Sequence, residues 1–366
     1  MRLLAGTMVV YLLATASPVL ALSQSQSPAD RSDALAAIKR RLTSDCEAGL
    51  FAGVVKAVDG DDVVFQHVCG LANVQSAQPT AADTIFKAFS ISKGITGLVV
   101  MKLAEEGVLS LDDPIRRYVP ETPESWRGVN LQDLLHHTSG LPDLTEGLLA
   151  AYTTGGASDH ESAMKAVLAS TEVTAIEPEP AWRYNNFGYE LLALAASRAA
   201  GRPFAALVQD TVFLPAGMAD ADWEQPAPWT PSPRLAQGYN GTPDELRPAT
   251  SLVYVQQGAG ALHASADDFL ALDRGWRNGS LIGEMRSRQN IEGAVKASET
   301  VRYGYGWMVR TAHGQAYLQH SGGNNGFAAE FARSVDRPIA VVVLSNRGYA
   351  DVSTVRRNLM DALLAR

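Results

Sequence analysis

Residues 85–107 read IFKAFSISKGITGLVVMKLAEEG. Ile91, Ile95, Leu98, Val99 and Leu103 recur at helical spacing, so the stretch predicts a helix that opens at or near Ser90 and stops around Gly107. Ser90 and Lys93 stand three apart and share a face, which brings the lysine amine within reach of the serine oxygen. A serine hydroxyl is a weak nucleophile that needs a base, and a lysine is a base only when neutral. Burial and the positive end of the helix dipole both favour the neutral amine. The same helix end offers the Ser90 backbone N–H to a developing oxyanion. The alternative is an ordinary helix start, a capping serine followed by a solvated lysine. Ser162 and Lys165 repeat the spacing with nothing around them to suggest a pocket, so S-x-x-K alone does not decide between the two.

Working outward, RSDALAAIKRRLTSDCEAGL (31–50) has helical spacing, and FAGVVKAVDGDDVVFQHVCGLAN (51–73) alternates as two strands around a turn at Asp59 to Asp61. From about 90 to 250 helical patterns dominate, among them NLQDLLHH, ESAMKAVLAS and GYELLALAASRAAGRPFAALVQDTVF, and strand signals are sparse. In the last third YGYGWMVRT, QAYLQHS, GFAAEFARS and IAVVVLSN read as successive strands, followed by a helix on which Val352, Val355, Leu359 and Leu363 share a face. Strands at both ends with helices between predict an α+β fold: one antiparallel sheet flanked by the N- and C-terminal helices, with an all-helical domain inserted. The expected division is a sheet part over about 22–88 and 251–366 and a helical part over about 89–250, with a pocket at their junction.

Two further motifs join Ser90 and Lys93. In EPEPAWRYNNFGYELLALAA, Tyr184 and Asn186 make a Y-x-N on a loop entering a helix, and none of the other tyrosines has an Asn two residues on. A tyrosine can relay a proton to a leaving group and an asparagine amide can hold a substrate carbonyl, whereas a packed aromatic and a helix cap are the plain alternatives. In AYLQHSGGNNGFAAEF, His320, Ser321 and Gly322 stand at a strand end. Small residues there let a substrate lie against the strand, and the Gly323 N–H can complete an oxyanion hole with Ser90; a hairpin turn explains the two glycines equally well.

The ordered set S-x-x-K, Y-x-N and H-x-G, with LLHHTSGLP between the first two, resembles the penicillin-recognising serine hydrolases: class C β-lactamases, DD-peptidases, D-aminopeptidases and esterases of that fold. The resemblance runs from the VDGDDVVFQHVCGLAN hairpin through SLDDPIRRYVPE, GAGALHASADDFLAL and YGYGWMV to VVVLSN. It implies a β-lactamase/transpeptidase-like fold in which Ser90 forms the acyl-enzyme and Lys93 helps deprotonate it. Tyr184 would act as general acid or base, Asn186 would orient the substrate amide, and His320 to Gly323 would line the site. Many β-lactamases of the group carry a Lys in the third motif as a cation for the substrate carboxylate; this chain has His320 there, and Ser321 where Thr is common. Arg247 and Arg347 are candidates to supply that charge from elsewhere.

Other chemistries find less support. There is no G-x-S-x-G, no H-E-x-x-H and no paired C-x-x-C; His136 and His137 are adjacent and read as support for the HTSGLP turn; GAGALH reads as a turn. The mechanism implied needs no metal or organic cofactor. Residues 1–25, MRLLAGTMVVYLLATASPVLALSQS, carry one Arg, an apolar run and VLA ending at Ala21, the pattern of a cleavable secretory signal. Loss of residues 1–21 would take the formal charge from −8 to −9, with no basic stripe for nucleic acid and no second apolar run of membrane-spanning length. The expectation is therefore a periplasmic or secreted protein acting on a small-molecule, peptide or peptidoglycan-like substrate, with neither nucleic acid nor stable membrane insertion. Cys46 and Cys69 fall at one end of the first hairpin, compatible with a disulfide in an oxidising compartment or with two buried thiols. The function expected is a serine hydrolase acylated at Ser90 by an amide, ester or β-lactam. The competing class is a non-turnover binding protein that acylates with penicillin and stalls, or that binds a peptidoglycan fragment as a sensor.

Overall fold

The computed structural model describes residues 28–141, 157–170, 181–225, 229–250 and 256–365, with positions 143, 147, 150 and 173. The expected signal segment, residues 1–21, lies outside them. Helix α1 (Pro28–Glu47) leads into the hairpin β1 (Gly53–Asp59) and β2 (Asp62–Cys69). Helices α2 (Ser92–Glu105), α3 (Leu131–His136), α4 (His160–Leu168), α5 (Asn186–Ala200) and α6 (Ala266–Arg277) follow. Strands β3 (Val295–Lys296), β4 (Arg302–Tyr303), β5 (Met308–Ala312), β6 (Gln315–Asn324), β7 (Phe327–Ser334) and β8 (Ile339–Ser345) precede α7 (Val352–Leu364).

The main sheet has eight strands in the order β3-β4-β5-β6-β7-β8-β1-β2. It is antiparallel throughout. Its closure is the β1–β8 ladder, Gly53 opposite Ser345 through Asp59 opposite Ile339, which joins the two ends of the chain. Both central strands are buried on both faces, as their Val-rich runs require. On one face Val55, Ala57, Val341 and Val343 pack with Leu42 of α1 and Val355, Leu359 and Leu363 of α7. On the other, Val54, Val342, Leu344 and Phe331 join the larger core with α2 and α6, and Phe269 stacks on Phe331 at 5.2 Å. Helix α2 is buried almost all round, from Ser92 to Ala104, so it behaves as the axis of the molecule and not as an amphipathic surface helix.

Three expectations are corrected. YGYGWMVRT is not one strand: β4 and β5 pair with each other, Tyr303 opposite Met308, around a turn at Gly304 to Trp307. The reason is contact with α2, since a Cβ on Gly306 would lie 2.2 Å from the Lys93 carbonyl oxygen and one on Gly97 would lie 2.2 Å from that of Tyr305. The middle is not strand-free: Asp222–Trp223 and Phe86–Lys87 flank Leu262–Ala264 in a small sheet, and Tyr239–Thr242 pairs with Glu245–Pro248. Helix α6 was not foreseen from periodicity, although its start is legible as a capping box in which Ser265 and Asp268 bond each other's backbone N–H. Among the described residues, no single helix is long and apolar enough to cross a membrane.

Candidate active site

Ser90 sits in a 3-10 turn, Phe89–Ile91, immediately before α2, and not on the α-helix proper. Phe89 takes φ 42°, a strained value for a bulky residue, and this sets the turn that presents Ser90. The turn is held by neighbours in space: the Ala88 N–H donates to the Leu262 carbonyl at 2.8 Å, and the Leu262 N–H to Ser92 Oγ at 2.9 Å.

Lys93, on the first turn of α2, is fully buried. Its Nζ donates to Ser90 Oγ at 3.2 Å, to Asn186 Oδ1 at 2.7 Å and to the Ala259 carbonyl at 3.2 Å. It also lies 4.7 Å from the centroid of the Tyr184 ring. The structure therefore brings Ser90 and Lys93 together with Tyr184 and Asn186 from two segments distant in the chain, and Ala259 joins them from a third. By contrast Ser162 is in the first turn of α4, where its Oγ and N–H are both spent on capping to Asp159.

The cap of α5 is Asn185, whose Oδ1 accepts from the Gly188 N–H at 2.6 Å, and Asn186 is the first helical residue. Asn186 does not present a free amide. Its Nδ2 donates to Asp143 Oδ2 at 2.7 Å, and since a carboxylate only accepts, this fixes Oδ1 toward Lys93. Asp143, which the sequence reading missed, also accepts from the Phe187 N–H at 3.3 Å.

His137 is the C-cap of α3 at φ 60°, so the HTSGLP turn is indeed built on it, but it does more. Its Nδ1 accepts from the Asn185 N–H at 3.2 Å, and its ring packs 4.6 Å from both Tyr184 and Tyr303. Burial, then the charge of Lys93, holds His137 well below 6.5, so a neutral ring backs Tyr184.

His320 is buried too. Its Nδ1–H donates to the Ser321 carbonyl at 2.7 Å and its Nε2 accepts from the Tyr303 hydroxyl at 3.0 Å. Burial first, then Lys93, lowers it to about 3 from 6.5. His320 is thus neutral at pH 7 and does not replace a lysine as a cation. Nor does Arg347, which is buried over Tyr239 and bonded to Asn346, while Arg247 is exposed on its hairpin opposite Asn240.

Gly322 has a packing reason of its own. A Cβ there would lie 1.8 Å from the Ala88 carbonyl oxygen and 3.3 Å from the Ser90 nitrogen, so its smallness makes room for the turn that holds Ser90. At Gly323 a Cβ would meet only the Phe327 carbonyl oxygen, at 3.5 Å. Strand β5 pairs with β6 only as far as Gln319, so among the described residues the edge of β6 from His320 onward lacks a strand partner. Ser321 and Gly323 lie on it, opposite Glu330 and Ala328 of β7.

Glu190 is a second residue the sequence reading passed over. Buried on α5, its carboxylate accepts from the Gly258 and Ala259 N–H groups at 3.1 and 3.0 Å, which aims the Ala259 carbonyl at Lys93. The start of GAGALH, residues 258–260, is a turn, as read, and part of the site's wall, whereas Leu262 and His263 continue into the strand Leu262–Ala264. A cleft of about 580 Å³ is lined by Lys87, Trp229, Leu235, Gln237, Asn325 and Phe327 among others, with the Phe327 ring 6.3 Å from that of Phe89 in the Ser90 turn. Another, of about 620 Å³, lies at α4 and the end of α5, and neither cleft has a motif residue in its lining.

Known proteins resemble this chain in sequence and in fold. The chain is 28% identical over 311 residues to penicillin-binding protein 4* of Bacillus subtilis, covering 81% of this chain and 68% of that protein. It is 28% identical over 371 residues to esterase EstB of Burkholderia gladioli, covering 87% and 92%. The octameric penicillin-binding protein homologue from Pyrococcus abyssi superimposes with a TM-score of 0.78 at 24% identity, covering 91% of this chain and 78% of that one. The β-lactamase family model matches residues 36–366, and the chain belongs to that family, the penicillin-recognising serine hydrolases.

Proposed function

We propose that the chain is an exported serine hydrolase that forms an acyl-enzyme on Ser90 and passes the acyl group to water. The observation that carries this is the buried Lys93 amine 3.2 Å from Ser90 Oγ, held there by Asn186 and Ala259. In its neutral form Lys93 takes the Ser90 proton as Oγ bonds the substrate carbonyl carbon. The Ser90 N–H and the Gly323 N–H receive the oxyanion, and Tyr184 passes a proton to the departing amine or alcohol. Water then repeats the sequence against the acyl-enzyme. Export rests on the charge and apolar pattern of residues 1–21.

The substrate is an ester or a D-amino-acid amide with no carboxylate that must be bound. His320, where a cation would sit, is neutral, and Lys87, the one cation among the residues lining the cleft, is paired with Glu224 at 2.9 Å. The name of one relative, an esterase, matches the ester half of that choice.

The test is intact mass after exposure to a fluorophosphonate and, separately, to a penicillin, for the wild type and Ser90→Ala, followed by turnover of p-nitrophenyl esters and D-alanyl amides and peptides. Labelling by the fluorophosphonate that disappears in Ser90→Ala, with ester or amide turnover exceeding that of penicillin, is expected. A folded wild type that stays unlabelled refutes acylation at Ser90, and one that takes one equivalent of penicillin and turns over no ester, amide or peptide refutes the hydrolase in favour of the stalled binding protein.

A further inference from the structure

Cys46 and Cys69 are bridged by a disulfide, which settles the choice left open by their spacing. They are not alone. His67 precedes Cys69 by two residues on β2, so strand alternation turns both side chains to the α1 side, where Cys46 lies in the last turn of the helix. His67 Nε2 is 3.4 Å from Cys46 Sγ, and the two sulfurs and this nitrogen all lie within 4.8 Å of one another. A disulfide needs no imidazole beside it, and the site described above has no use for this one, which belongs to the other core.

We propose that Cys46, His67 and Cys69 form a redox-gated zinc site, shut as a disulfide in the oxidised chain and open to Zn²⁺ as two thiolates and an imidazole in the reduced one. The ligand types are those of borderline-soft zinc sites. Zn–S bonds of about 2.3 Å and Zn–N bonds of about 2.0–2.1 Å set neighbouring sulfur and nitrogen ligands roughly 3.5 Å apart around a tetrahedral ion. The 3.4 Å spacing of His67 Nε2 from Cys46 Sγ already fits that, and the two bonded sulfurs must separate. All three residues are half-buried, leaving a path for reductant and ion.

The chemistry balances with a dithiol as reductant. The dithiol gives two electrons and two protons to the Cys46–Cys69 bond and itself becomes a disulfide. The two thiols then release their protons to solvent as Zn²⁺ binds both sulfurs and His67 Nε2, with water in the fourth position. Either closure ties the end of α1 to β2, so the ion would replace the covalent staple with a coordinate one.

The experiment uses the full chain, reduced with dithiothreitol, freed of reductant anaerobically, and titrated with Co²⁺ and then Zn²⁺. Expected are one equivalent bound, a thiolate-to-cobalt charge-transfer band bleached by Zn²⁺, and a rise in Tm of the reduced protein on adding Zn²⁺. His67→Ala should weaken zinc by more than about tenfold, since even outer-sphere losses cost 10–100-fold. The same variant, left oxidised, should keep the wild-type Tm, which shows that its fold and disulfide are intact; His67→Gln serves if the smaller side chain is not tolerated. Absence of the cobalt band in the reduced wild type, or zinc binding in both His67 variants as tight as in the wild type, overturns the site. The oxidised protein should bind neither ion there.

Discussion

Asn186 shows how much of this site depends on one side chain's orientation. Its amide is read from both ends, by Asp143 at Nδ2 and by Lys93 at Oδ1, so the carboxylate acts on Lys93 through Asn186 without being a catalytic residue itself. Asp143→Ala should lower kcat by up to about 10²-fold with a smaller change in KM, the pattern of a misplaced catalytic group. Asp143→Asn, which can still accept from Asn186, should recover much of the loss; steady-state kinetics of both variants checks this. His320 makes a prediction about pH. It is neutral in the fold down to about 3, whereas the unfolded chain takes the proton near 6.5. Above 6.5 the two states carry the same charge and His320 contributes no pH dependence. As the pH falls below it, only the unfolded state binds the proton, and stability declines by up to about 1.4 kcal/mol per pH unit. His136, lowered to about 4 by burial, and His137 act in the same direction. Urea unfolding between pH 7 and 4 should show this decline, and His320→Gln should show a shallower one; equal slopes would mean that His320 is not held neutral.

At the scale of elements, the site is a junction of three packed pieces. The turn before α2 brings Ser90, the start of α5 brings Asn186 with Tyr184 just ahead of it, and the Gly304–Trp307 turn between β4 and β5 presses on the first turns of α2. That last contact permits no side chain at Gly97, where a Cβ would be 2.2 Å from the Tyr305 carbonyl oxygen. Gly97→Ala should therefore cost about 1–3 kcal/mol by overpacking, despite alanine's better helix propensity. Because the strain is relieved by moving α2 against this turn, activity should fall more than the stability loss alone accounts for. Denaturant midpoints and kcat on the same preparation separate the two effects.

For the whole molecule, the sheet divides two cores: one shared with α1 and α7, the other with α2, α6 and the helical part that carries the site. The Cys46–Cys69 bridge belongs to the first and closes a loop with a sequence separation of 23. Chain entropy assigns such a loop roughly 3 kcal/mol. Replacing both cysteines by alanine should lower stability by about that amount while leaving kcat on any turned-over ester unchanged, because the lost constraint lies on the side of the sheet away from Ser90. Thermal unfolding and kinetics, both with a chelator present, test this separation.

The amino-acid sequence by itself determined the local elements and the chemistry on offer. Alternation in 51–73 specified the first hairpin, helical spacing specified α2, and three short motifs in order identified Ser90, Lys93, Tyr184 and Asn186, because each of these signals is written in residues close together along the chain. The tertiary structure decided what depends on residues far apart. It buried Lys93 against Asn186 and Ala259 beside Ser90 while leaving Ser162 to cap a helix, split YGYGWMVRT against α2, and gave Gly322 its place against the Ser90 turn. It also joined Cys46 to Cys69, and made His320 neutral at the motif position where many β-lactamases carry a lysine. Neither burial nor long-range approach leaves a local pattern to read, since both arise only when the β1–β8 ladder closes the sheet and packs the helices around α2.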